Sequence, residues 1–210
     1  MSLRLPSAAL TGLLFLAACG SVSSQTTTSP VTPAPPAETP PSGGVPWPAP
    51  ADPLALTRAA GLGPERHETL DFHVHAHLDV FVNGQKVPVP AGIGIEIHDP
   101  GVNSSTTSQG VSYGGIKECA SPCISPLHTH DSTGTIHTES ATARPNHLGQ
   151  FFKEWGVRLD ASCVGGYCSP GTRILILVDG SRLSGNPADV ELLDQREIVV
   201  IIGSAPGQKP

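Results

Sequence analysis

Residues 70–90 read LDFHVHAHLDVFVNGQKVPVP, and the alternation in that stretch leaves the backbone little choice. Phe72, Val74, Ala76, Leu78, Val80 and Val82 recur every second residue, whereas an apolar helical face would recur every third or fourth. The stretch is therefore predicted to be a strand with its apolar row on a core. The opposite row carries His73, His75, His77, Asp79 and Phe81. Asn83-Gly84 is the residue pair that tight two-residue hairpins favour, so the chain is expected to return through Lys86-Val87-Pro88-Val89.

A second histidine cluster lies at 127–137, LHTHDSTGTIH. Strands at 125–131 and 134–139, joined by a turn over Asp131-Ser132-Thr133-Gly134, would set His130 opposite Thr135 and His128 opposite His137. In that register His128, His130 and His137 share one face, with Glu139 diagonal to His128, while Leu127, Thr129, Ile136 and Thr138 take the other. Paired side chains sit about 5 Å apart at Cβ, within reach of one ion at metal–nitrogen distances of about 2.0–2.1 Å. A one-residue slip would turn His137 away. His73, His75 and His77 span about 13 Å along a flat strand, too far for all three to share one ion without a bend. If the two segments are neighbours, they bring four to six imidazoles around one or two ions.

The donor chemistry narrows the metal. The chain has a single Met, at position 1, so a methionine-lined Cu(I) site and a His/Cys/Met copper centre are disfavoured. Neutral imidazoles suit Zn(II) and Cu(II). Asp79, Asp131 and Glu139 are candidates to orient ring nitrogens, with Glu139 also a candidate ligand.

The N-terminus reads as an export signal over residues 1–18, with one basic residue (Arg4), an apolar run from Ala8 to Ala18, and Leu16-Ala17-Ala18-Cys19 resembling a lipoprotein cleavage box. Cys19 would carry the lipid. Residues 19–51 are rich in Pro, Ser, Thr and Ala, a composition that stays extended and tethers a head at the membrane; Trp47 has no assigned role there. Residues 52–204 are expected to form one domain. Loss of Arg4 with the signal moves the formal charge from −6 to −7, which argues against nucleic acid or anionic lipid as a partner of the head.

Four cysteines then remain: Cys119, Cys123, Cys163 and Cys168. In an exported chain an even number points to disulfides, either within CASPC and CVGGYC or between them. A thiolate site built from Cys123 and the following histidines is the alternative.

The rest of the head reads as short elements. Asp52-Pro53 caps a short helix over LALTRAAGLG; AGIGIEIH suggests a strand ending near His98; DPGVNSSTTSQGVSYGG reads as a loop. In NHLGQFFKEWG, Leu148, Phe151, Phe152 and Trp155 make a core-facing helical stripe, with Asn146 a candidate cap and Gly156 a stop. Strands are expected near 173–178 and 196–202. The fold class is therefore mainly β with short helices (α+β). The tail VDG…LLDQREIVVIIG resembles the terminal hairpin region of β-grasp domains, and LDVFVNGQKV resembles ILILVDGSRL.

LHTHDSTGTIHTE followed by LGQFFKEWG, together with HVHAHLDVFVNG and VPAGIGI, resembles an uncharacterised family of bacterial and archaeal exported proteins over most of 70–160. The resemblance implies that the two histidine segments belong to one module. It carries no established activity. Three functions fit the residues: a membrane-anchored extracytoplasmic Zn or Cu binder; an envelope enzyme in which three histidines hold the metal and Glu139 or Asp131 is the general base; and an interaction module with a pH-sensitive histidine surface. No nucleophile elbow, phosphate loop or dinucleotide fingerprint is present.

Overall fold

A computed structural model describes residues 47–207. The expected signal peptide (1–18), Cys19 and residues 20–46 of the expected tether lie outside the described residues. The elements in chain order are α1 (Pro53–Ala59), β1 (Phe72–Val82), β2 (Gln85–Val87), β3 (Asn103–Thr107), β4 (Gly110–Gly114), β5 (Leu127–His128), β6 (Thr135–Ser140), α2 (Leu148–Trp155), β7 (Cys163–Val164), β8 (Tyr167–Cys168), β9 (Ile174–Val178), β10 (Ser181–Arg182) and β11 (Arg196–Ile202). The architecture is α+β and mainly β, as the sequence implies.

β1 organises the main sheet, whose order is β10-β9-β11-β1-β6-β5. One edge of β1 pairs in parallel with β11; the other edge is divided, its first half taken by β6 and its last three residues by β2. The β1–β2 turn places Asn83 at φ 50° and Gly84 at φ 81°, the left-handed pair that a two-residue hairpin requires. Asp179 and Gly180 repeat it between β9 and β10, so the two similar segments share a hairpin. β9 pairs antiparallel with β11 beside the first hairpin.

The apolar row of β1 is the core, with Ala76, Leu78, Val80 and Val82 buried together with Leu148, Phe151, Phe152 and Trp155 of α2. The helical stripe thus serves packing, as expected. Gly156 ends α2 at φ 73°, but the N-cap is His147, whose N–H donates to Gln150 Oε1 at 2.9 Å. Asn146 is instead buried, and its amide donates to Thr138 Oγ1 at 3.3 Å. A buried amide has to find a partner, and the nearest one lies on β6.

Three readings of the sequence are corrected. AGIGIEIH is not a strand but a run of turns with one bridge, Ile95 to Ile124. Gly92 and Gly94 adopt φ 83° and 73°; a Cβ on Gly94 would lie 2.5 Å from the Leu127 carbonyl oxygen and one on Gly92 2.7 Å from Ile97 Cγ2, so the apparent alternation reports glycines at close approaches. DPGVNSSTTSQGVSYGG contains the β3–β4 hairpin, whose mostly polar, exposed strands carry no apolar row to announce them. Trp47 is in the core: its ring meets Trp155 edge-on at 5.6 Å between centroids, and Trp155 Nε1 donates to its carbonyl at 3.4 Å. The packed chain therefore begins at or before Trp47, within the span read as tether.

The disulfides are local, Cys119–Cys123 and Cys163–Cys168. The first removes Cys123 from any thiolate site. Paired cysteines of this kind belong to oxidising, extracytoplasmic surroundings. Among the described residues no helix is long and apolar enough to cross a membrane.

Candidate metal centre

The centre lies on the face of β1, β6 and β5 opposite the core. Register decides it: His73 pairs with Glu139, His75 with His137, and His137 with His128. Directly paired residues share a face, so three neighbouring strands present one continuous field of imidazoles. The expected pairing of His128 with His137 is observed, but that of His130 with Thr135 is not. β5 is shorter than expected, because beyond His128 the backbone pairs elsewhere: Thr129 N–H donates to Ile93, and the His130 carbonyl accepts from Tyr113 N–H.

The imidazole planes are close. Ring centroids of His75 and His137, and of His130 and His137, are 4.4 Å apart, and those of His128 and His130 are 4.6 Å apart. His128, His130, His137 and Glu139 each offer a ligand atom, all within 4.8 Å of one another; His73, His75 and His137 form a second such set. Glu139 Oε1 lies 3.2 Å from His73 Nε2, 3.3 Å from His137 Nδ1, 3.8 Å from His128 Nε2 and 4.0 Å from His130 Nε2. A tetrahedron with metal–nitrogen bonds of about 2.0–2.1 Å has edges of about 3.3 Å, so the inner set needs only small adjustments to close on an ion.

The ring tautomers are set by the backbone. His128 Nδ1 donates to the Ser125 carbonyl at 2.8 Å, and His130 Nδ1 donates to the Tyr113 carbonyl. A carbonyl can only accept, so each Nδ1 carries a proton and each neutral ring keeps a lone pair at Nε2. These two Nε2 atoms face each other at 3.2 Å. Two lone pairs at that distance repel unless a proton or a metal cation lies between them. Glu139 Oε2 is buried with no hydrogen-bond partner, a second polar atom that a cation would satisfy.

Electrostatics bear on which atom holds the proton. Burial drives the His128 pKa down to about 3, with His130 adding repulsion, so His128 is neutral. Burial also works against His130, yet the facing Glu139 carboxylate, the Tyr113 carbonyl and the nearby Glu68 raise its pKa overall. Burial alone would lift the pKa of Glu139; His130, His137 and His128 overrule it and hold the carboxyl well below the usual carboxylate range. Burial and the neighbouring His137 lower the pKa of His75. The fit is that of a cation site: imidazole nitrogens, with His128 neutral, converge on an ionised carboxylate.

Three candidates from the sequence do not join it. His77 turns to Asp79, with Nε2 3.4 Å from Oδ1, and belongs to neither set. Asp79 Oδ1 also pairs with Lys86 Nζ at 2.7 Å, and Asp79 belongs to neither set. Asp131 closes its own turn, accepting from the Thr133 N–H at 2.9 Å and hydroxyl at 2.6 Å; burial is outweighed by these bonds and its pKa is lowered. Conversely, Glu68 lies 3.9 Å from His130 Nε2 and was not foreseen. It sits in irregular chain before β1, where no periodicity exists to read. Compared with known proteins, the chain matches no family model, no curated protein and no solved structure.

Proposed function

We propose that this protein is an extracytoplasmic metal-binding domain, anchored to the membrane through lipidated Cys19, that holds Zn(II) or Cu(II) with imidazoles from two strand segments. The observation that carries the reading is the pair of facing Nε2 atoms of His128 and His130, whose Nδ1 protons are already committed to backbone carbonyls. His137 and Glu139 complete the inner set. The four cysteines of the head are in disulfides and no methionine follows Met1, so the donors are nitrogen and oxygen, which suits these two ions.

A binder is favoured over an enzyme because both bases that hydrolysis would have used are occupied. Asp131 is spent on its turn, and Glu139 is buried among imidazole nitrogens. Each remaining role, whether buffering, carriage or sensing, needs a site that fills reversibly.

The test is the metal content of the full chain purified from an oxidising host, read by mass spectrometry after exposure to Zn(II) or Cu(II). Stoichiometric metal is expected, and His128→Ala or His137→Ala should weaken binding by about 100-fold or more, given that loss of even an outer hydrogen-bonding partner costs about 10–100-fold. Folded protein that takes up no metal at micromolar supply would overturn the reading and leave a pH-sensitive interaction surface.

A further inference from the structure

The two ligand sets are unequal in a way that a single ion does not explain. The inner set lies deep: the side chains of His128 and Glu139 are 0% and 4% exposed. The outer set is open, with His73 33% exposed and only His137, at 16%, belonging to both. His137 belongs to both sets, and Glu139 Oε1 lies 3.2 Å from His73 Nε2 and 3.8 Å from His128 Nε2; a neutral imidazole has one lone pair, so ligation of both ions through His137 releases its ring proton to solvent.

Beside the outer set runs an open groove of about 530 Å³ lined by His75, His77, Asp194 and Glu197 among others. Its acids lie where a cation from solution would first be attracted. Asp194 is fixed there, since its Oδ1 accepts the His75 N–H at 3.0 Å. Parallel pairing with β11 places Glu197 directly beside His77. An acidic mouth, a partly exposed nitrogen set and a buried nitrogen–carboxylate set thus follow one another across adjacent strands.

We propose that the centre takes two ions in series: a retained ion held by His128, His130 and Glu139, and an outer, exchangeable divalent transition-metal ion held by His73 and His75, with His137 between them. The proposal rests on the metal-binding reading above. Solvent exposure makes the outer ion easy to release, and repulsion from the inner ion weakens it further. The outer site is then the port through which ions reach the inner one.

Zn(II) titration of the full chain against graded chelators, with metal per chain counted by mass spectrometry, tests it. The wild-type chain should take two ions in steps separated by about tenfold or more in affinity. The His73→Asn/His75→Asn chain should take one, with its tight step unchanged, and His128→Ala should lose the tight step. Thermal melts check that each variant is folded; the outer histidines are on the surface side, so the double variant is the informative one. A wild-type chain that saturates at one ion overturns the port while leaving the metal-binding reading intact. So does a second ion that persists in the double variant. A chain that binds no ion overturns both.

Discussion

Glu154 shows how one buried residue can carry a pH response far from the charged surface. It is fully buried on α2, where burial pushes its carboxyl pKa up to about 8 against the hydrogen bonds of Ser125 and Thr57, the latter at 2.7 Å. The folded state therefore keeps a proton that the unfolded chain releases near the ordinary value of 4.5. Stability from this group is complete below pH 4.5 and is lost as pH rises toward about 8, at about 1 kcal/mol per pH unit. Glu154→Gln should flatten that slope, so urea melts at pH 5 and pH 8 should differ less in the variant than in the wild type. Equal slopes would mean that the carboxyl is ionised in the fold. Burial acts on both His128 and His130, but the Glu139 carboxylate, the Tyr113 carbonyl and Glu68 overrule it at His130, so these neighbours shift in opposite directions.

At the scale of elements, the candidate metal centre is a property of strand registration. β1 and β6 would present the same residues in any pairing, but only the observed one sets His75 against His137 and His73 against Glu139. What fixes β5 against its neighbours includes the coil beneath it. Gly94 (φ 73°) lies so close that a Cβ would reach 2.5 Å from Leu127 O and 3.2 Å from His128 Cβ. Gly94→Ala should cost about 1–3 kcal/mol, through strain and steric displacement, and should weaken Zn(II) binding because His128 moves with its backbone. A chemical melt and a chelator competition on the same protein check this; lost stability with unchanged affinity would show that β5 is held independently of this coil. The alternating row of β1 and the helical stripe of α2 were legible because each buries a long, periodic apolar face. The segment 91–98 misled because glycine and isoleucine alternate there for reasons of close approach, and the β3–β4 hairpin was silent because both of its faces are wet or nearly so.

At the scale of the whole molecule, the packed unit extends further toward the N-terminus than its composition suggests. Trp47 follows a proline-rich run yet fills a slot against Trp155, where a Cβ on Gly165 would lie 2.6 Å from its ring. Trp47→Ala should cost about 3–5 kcal/mol, the usual range for emptying an aromatic site in a core. Removing residues 1–51 should cost a similar amount, whereas removing residues 1–45 should cost little. Thermal melts of the three chains decide where the domain begins. If all three match the wild type, Trp47 contributes nothing to the fold.

What the amino-acid order determined without help was local: which faces of β1 and α2 are apolar, where the Asn83-Gly84 hairpin turns, that the paired His128 and His137 could share a side, and that histidines cluster in two short segments. Only the tertiary structure decided which histidines meet, because ligand convergence depends on pairing between strands more than fifty residues apart. It drew His73 and His75 to the hairpin trio, left His77 with Asp79, spent Asp131 on its own turn, and made Glu139 a buried partner of the rings. Side-chain alternation follows from the backbone of a single strand, whereas registration and depth are set by the core on the opposite face of the sheet.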